Sequence, residues 1–177
     1  TLAGKVALAE ITVGQGEARV AQGVLVEDFE GRFNCSFSAW PASVKGAFER
    51  VQGGTQGKWA GRLRYDFSNA TASCAAYARF DENLPVLSAG GMLSVWVRGD
   101  GRGHWLRVRL RDQKGERMVL DLARRVDWKD EWRQLQVPLP GGRSGLVLET
   151  IYVVETDAAR LDSGAITFDN ITVEGGK

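Results

Sequence analysis

The sequence predicts an all-β chain, an antiparallel β-sandwich or barrel, from three observations. Apolar and polar residues alternate with period two over much of the chain after Val24. Gly, Asp and Asn clusters break that alternation roughly every 8–15 residues, the spacing of short strands joined by turns. No window of about 12 residues carries a helical stripe. Leu120 to Trp128 comes nearest and is interrupted by Arg124-Arg125 and Asp127. Regularly spaced strands without helices pack as a sandwich or barrel.

The elements follow in order. Residues 1–23 are Gly- and Ala-rich, with Val6 to Ala9 and Ile11 to Val13 as a short strand or part of a linker. The domain proper spans 24–177 and opens on the apolar run Val24-Leu25-Val26, which ends in Glu27, Asp28 and Glu30. Gly46 to Val51 is the next strand, closed by the turn-rich Gln52 to Gly57. Leu63, Tyr65 and Phe67 then share one strand face, with Arg62, Arg64 and Asp66 on the other. Ala72 to Phe80 is extended. Leu93, Val95 and Val97 alternate with Trp96 and Arg98 up to the glycine-dense Gly99 to Gly103, which reads as a hairpin. A returning strand sets Leu106, Val108 and Leu110 opposite Trp105, Arg107 and Arg109. Met118 to Leu122, Trp132 to Leu139, Ile151 to Val154 and Ala165 to Val173 complete the set.

Composition narrows the function. The 23 Lys and Arg nearly balance the 22 Asp and Glu, which argues against a general polyanion or nucleic-acid binder. No apolar run approaches the roughly 18 residues that span a bilayer. No charged segment followed by a long apolar one opens the chain. The single histidine, His104, cannot build a multi-histidine metal site; in a glycine-rich turn it reads as a solvated residue rather than a general base. Cys35 and Cys74 fit no metal spacing: they are either one disulfide closing a loop of about 40 residues or two buried thiols.

Two groups of side chains point to binding. If the apolar residues around the Gly99–Gly103 turn face inward, Trp96, Arg98, Trp105, Arg107 and Arg109 share the opposite face. Trp planes stack on pyranose rings, and guanidinium binds carboxylate or phosphate in bidentate fashion. The bland reading is a solvent face with arginine stems covering the tryptophans. The second group is the acids at the two ends, Glu27, Asp28 and Glu30 with Asp169. Together with main-chain carbonyls from Gly53 to Trp59 they would form an oxygen site suited to Ca²⁺.

Several strings, read in order, carry a resemblance: Val26 to Glu30, Gly61 to Phe67, Val95 to Gly101, Trp105 to Asp112, Val126 to Trp128 with Trp132, and Ser163 to Ile171. Over residues 24–174 they resemble the galactose-binding-like jelly-roll modules, which include several families of carbohydrate-binding modules. The nearest likeness is the non-catalytic β-sandwich module attached to bacterial phosphodiester glycosidases. The resemblance implies a jelly-roll sandwich with a structural Ca²⁺, Glu30 matching the opening acid and Asp169 the closing one. Asn170 stands where many relatives carry a second acid. It also implies structural positions for Trp128 and Trp132.

The expected function is a non-catalytic module that binds polysaccharide, anionic if the arginines contribute, through Trp96, Arg98, Trp105, Arg107 and Arg109. Glu30 and Asp169 would hold Ca²⁺. The expected setting is extracellular or at the cell surface, as a monomeric module beside a catalytic domain, with no nucleic-acid or membrane partner. Two alternatives stand beside it: a structural sandwich packed on a catalytic neighbour, and a polysaccharide lyase or hydrolase built on a jelly roll.

Overall fold

The computed structural model describes residues 23–86 and 90–175. The strand or linker expected before Gly23 therefore lies outside the described residues. Within them run β1 (Val24–Glu27), β2 (Cys35–Trp40), β3 (Lys45–Gln52), β4 (Trp59–Asp66), β5 (Cys74–Pro85), β6 (Met92–Asp100), β7 (Trp105–Arg111), β8 (Arg117–Ala123), β9 (Lys129–Pro138), β10 (Val147–Glu155) and β11 (Ser163–Glu174). A single turn of 3-10 helix, Ala158–Arg160, interrupts them.

Two antiparallel sheets result. The first has the order β3-β4-β11-β6-β9, with β1 also pairing β11; the second has the order β2-β5-β10-β7-β8. The fold is thus an all-β sandwich. Of its strands, β2 was not foreseen. Its sequence, Cys-Ser-Phe-Ser-Ala-Trp, alternates small polar residues with only one large apolar side chain inside the strand.

Period two decides which residues form the core. Leu63, Tyr65, Val95, Val97, Ile166 and Phe168 line the inner face of the first sheet and are all buried. Leu106, Val108, Leu110, Leu148, Ile151 and Val153 meet them from the second. Interdigitation of two inner faces is how such sandwiches pack. Fully burying each aliphatic or aromatic side chain contributes about 1.5–3 kcal/mol.

One expectation about connectivity is corrected. β6 pairs with β11 and β9, whereas β7 pairs with β10 and β8. Gly101 to His104 therefore carries the chain from one sheet to the other instead of closing a hairpin. Gly101 and Gly103 supply positive φ values of 72° and 73° there. The apolar alternation on both strands is right, but it reports two inner faces of a sandwich rather than one face of a two-stranded ribbon.

The cysteines are free thiols. Cys35 pairs in register with Phe80 of β5, and Cys74 lies at the start of the same strand. That separates them by about 20 Å along the strand, against the roughly 7 Å limit for a bridge. Burial pushes the thiol of Cys35 up to about 12 and that of Cys74 to about 11, so neither is a ready nucleophile.

Candidate functional site

Strand pairing turns the outer face of the second sheet into rows of neighbouring side chains. One row reads Ser38, Tyr77, Tyr152, Arg107 and Asp121 across β2, β5, β10, β7 and β8. The next reads Ser36, Arg79, Thr150, Arg109 and Val119. On the other side lie Trp40, Ala75, Val154 and Trp105. Trp40 and Val119, two of the few large apolar residues exposed anywhere on the described surface, both belong to this face.

Aromatic rings and guanidinium groups interleave on it. Tyr77 and Tyr152 lie with centroids 5.0 Å apart and planes tilted by 32°. Arg107 stands over the Trp105 ring at 4.2 Å and Arg109 over Tyr77 at 5.6 Å. Each cation–π contact of this kind contributes about 0.5–1 kcal/mol where water reaches it. Arg107 also donates to Asp121 at 2.9 Å, a pair worth under about 1 kcal/mol at this exposure.

Glu149 organises the remaining arginines. Against β7, Leu148 and Thr150 face the adjacent Leu110 and Arg109, so Glu149 is an extra residue in a bulge; against β5 the same pair faces Leu84 and Arg79, so there the extra residues lie on β5. Its carboxylate meets Arg111 at 2.9 Å, Arg117 at 3.0 Å and Arg109 at 3.3 Å. Burial raises its pKa, but the hydrogen bond from Arg111 and the charges of Arg117 and Arg109 outweigh that and hold the group below the ordinary carboxylate range.

Trp96 and Arg98 fall elsewhere. They lie on the outer face of the first sheet, where Arg98 pairs with Trp132 of β9 and Thr167 of β11. Arg62 and Arg64 share that face and both bond Glu49 at 2.8 Å. The five residues expected to form one surface are thus divided: Trp105, Arg107 and Arg109 on the second sheet, Trp96 and Arg98 on the first. Trp128 is buried, with its indole N–H donating to the Val97 carbonyl at 3.4 Å. Trp132 is only partly buried and stands beside Arg98.

Tyr77, Arg79, Thr150, Tyr152 and Trp40 were not foreseen in the face. A signal for two of them exists: in Cys74 to Phe80 the period-two pattern puts Tyr77 and Arg79 together, away from Ala76 and Ala78. Tyr152 gives none, because Ile151 and Val153 beside it are equally apolar.

Glu30 and Asp169 converge on the loop between β3 and β4 without touching the second-sheet face. Glu30 Oε1 accepts from the main-chain N–H of Lys58 and of Trp59, each at 2.6 Å. Asp169, wholly buried, accepts at Oδ2 from the Thr55 N–H, from the Thr55 hydroxyl at 2.7 Å and from the Gln56 N–H at 3.3 Å. A side chain at Gly57 would collide with the Glu30 carboxylate, and its φ of 79° also calls for glycine. Phe29 and Asn170, each beside one of the two acids, have positive φ values of 60° and 45°. A cleft of about 290 Å³ opens here, lined by Asp28, Glu30, Gln56 and Asn170 among others.

Two carboxylates make only part of the six- to eight-oxygen shell that calcium takes. Among the described residues no three His, Cys, Asp or Glu side chains gather as a metal cluster. Main-chain carbonyls and the Asn170 amide oxygen would have to supply the rest. The residues fit calcium in part: the acids converge, but loop N–H groups already bond them.

His104 is 1% exposed, which corrects its reading as a solvated turn residue. Nδ1 lies 2.6 Å from Glu155 Oε2, and Nε2 lies 2.6 Å from Asp162 Oδ1. Tyr65 and Phe67 pack edge-on against its ring. Burial alone would raise the Glu155 pKa; the Asp157 N–H, the His104 ring and the Thr156 N–H reverse that and hold it low. The histidine thus ties the β7 start to the β10 end and the loop before β11.

No family model and no curated protein matches the sequence. Solved structures do match in fold. A family 11 carbohydrate-binding module from Clostridium thermocellum, in complex with a β-1,3-1,4-mixed-linked tetrasaccharide, superposes with a TM-score of 0.57 at 15% identity, covering 87% of this chain and 96% of that one. A carbohydrate-binding module of the β-sandwich superfamily, described for promiscuous specificity, gives 0.65 at 12% identity over 85% of this chain and 62% of the other. The module TmCBM61, in complex with β-1,4-galactotriose, gives 0.54 at 14% identity, covering 85% and 97%. The fold is therefore a jelly-roll sandwich of the carbohydrate-binding-module type.

Proposed function

We propose that this protein is a non-catalytic carbohydrate-binding module and that its ligand lies across the outer face of the second sheet. One observation carries the reading: Trp105, Tyr77, Tyr152 and Trp40 stand on a single sheet face, interleaved with arginines. Flat apolar planes match the apolar faces of pyranose rings, and the guanidinium forks supply hydrogen-bond donors to the hydroxyls at their rims. The fold supports the same reading, since its structural neighbours include modules solved with bound oligosaccharides. His104 is enclosed between two carboxylates and unavailable as a surface base.

In this reading the module works beside a catalytic domain of a secreted enzyme and holds it on polysaccharide, where weak binding suffices because tethering raises the effective concentration. The ligand is a polysaccharide with acidic groups, in keeping with the arginines of the face. Ca²⁺ bound by Glu30, Asp169 and the neighbouring loop carbonyls would brace β1 and β11 against the β3–β4 loop, away from the ligand.

Affinity electrophoresis against a panel of neutral and acidic polysaccharides tests the proposal. Retardation by at least one polymer, abolished in Trp105→Ala, is the expected result; no retardation of the folded protein by any polymer contradicts it. The 61% exposure of Trp40 also favours a second reading, in which the face packs on a neighbouring domain. In that case, joining the neighbour would bury Trp40 and quench its solvent accessibility without any sugar present.

A further inference from the structure

Within the proposed ligand face, one row is built differently from the others. Thr150 of β10 is flanked in register by Arg79 of β5 and Arg109 of β7, and register partners project to the same side of a sheet. Thr150 is 1% exposed. Among the described residues its hydroxyl has no hydrogen-bond partner. Arg109 Nε lies 3.3 Å from Glu149 Oε2, an ion pair without hydrogen-bond geometry. A buried hydroxyl left unpaired is uncommon and costly, so Thr150 calls for an explanation. The hydroxyl can donate its proton to an anion.

The charges around it are unbalanced. Glu149 is the one carboxylate that Arg109, Arg111 and Arg117 share. Arg79 is exposed and enters no ion pair among the described residues. Four guanidinium groups thus stand at this end of the face against two acids, Glu149 and Asp81, the latter accepting from the Ser36 hydroxyl beside Arg79. The opposite row differs, since there Arg107 has its own partner in Asp121.

We propose that Thr150, Arg79 and Arg109 form a subsite for an acidic substituent of the polysaccharide, a uronate carboxylate or a sulfate ester. The inference rests on the carbohydrate reading of this face and adds where the charge of the ligand sits. An oxyanion entering between the two arginines meets the Arg79 and Arg109 guanidinium groups and gives the Thr150 hydroxyl an acceptor, and guanidinium geometry suits a two-oxygen contact. Glu149 is a positioning residue: held in the bulge, it fixes Arg109 at the edge of the subsite. Trp105 and Tyr77 stack sugar rings whether or not these are charged.

Calorimetric titration with two matched pairs tests this: polygalacturonate against its fully methyl-esterified form, and dextran sulfate against dextran. The expected result is at least tenfold tighter binding of one charged member than of its neutral counterpart at low salt. Arg79→Gln and Thr150→Val should each cut that ratio at least fivefold. Arg79 is exposed, so its variant keeps the fold, which a thermal melt verifies. Charged members that bind no more tightly than neutral ones, or a ratio unchanged in the Arg79→Gln, Arg109→Gln double variant, would overturn the subsite. In that event, neutral binding that Trp105→Ala abolishes leaves the carbohydrate reading standing. Failure of all four polymers to bind overturns the subsite and leaves the broader reading to the panel of polysaccharides.

Discussion

Tyr77 and Tyr152 lie side by side on the outer face of the second sheet, their ring centroids 5.0 Å apart. They are register partners on β5 and β10, so the sheet itself fixes their spacing. With Trp105 one row away, they set three aromatic side chains on this face.

Replacing one ring should therefore weaken binding without unfolding the domain. Tyr77→Ala is expected to lower affinity about tenfold, which corresponds to about 1.4 kcal/mol. Trp96→Ala, on the other sheet, should leave affinity unchanged. Titration of both variants with whichever polysaccharide binds the parent protein checks the contrast. Equal losses in the two variants would place the ligand elsewhere.

His104 should matter to stability rather than to binding chemistry. Removing it leaves Glu155 buried and Asp162 half-exposed without their shared partner. Breaking such a pair costs about 3 kcal/mol, or about 10 °C in Tm for a chain of this size. A thermal melt of His104→Ala measures it. A drop of under about 3 °C would show that the network contributes little.

Acid should destabilise the domain through Glu149, Glu155 and Asp112. All three have pKa values held below the ordinary range. For Asp112, burial opposes ionisation and main-chain N–H groups of Glu116 and Lys114, with Arg143, overcome it. A carboxylate depressed in the folded state adds stability above its unfolded pKa of about 4, and that stability disappears as pH falls through the folded value. Glu27, raised by burial, works in the opposite direction. Melts from pH 7 to pH 3 should show a net fall in Tm, and Glu149→Gln should flatten it. A Tm that is constant over this range would contradict the assignment.

Calcium makes a separate prediction. If Ca²⁺ binds the folded state at Glu30 and Asp169, excess EDTA lowers Tm and added CaCl₂ restores it. The loss should vanish in Asp169→Asn. An unchanged Tm, together with no bound metal by elemental analysis, would leave the loop N–H donors as the sole clasp on the two acids.

The sandwich was legible because period-two alternation reports burial directly: Leu93, Val95, Val97, Leu106, Val108 and Leu110 are all inner-face residues. Which sheet each strand joins was not legible. Gly99 to Gly103 carries the same glycines whether it closes a hairpin or crosses between sheets, because both need positive φ. That ambiguity set Trp96 beside Trp105 when they belong to opposite faces. Glu149 was equally hidden, since its role comes from a register shift that only strand pairing reveals. The meeting of the first and last strands was anticipated and is seen in the pairing of β1 with β11; Glu30 and Asp169 each bond the β3–β4 loop, through different residues of it.

The most direct test of the central claim is a nitrogen-15 NMR titration with the polysaccharide fragments that bind. The Trp105 indole N–H, which has no partner among the described residues, should shift on binding together with the amides of Tyr77, Thr150 and Tyr152. Shifts confined to Trp96, Arg98 and Trp132 would contradict the account, because they would put the ligand on the other sheet.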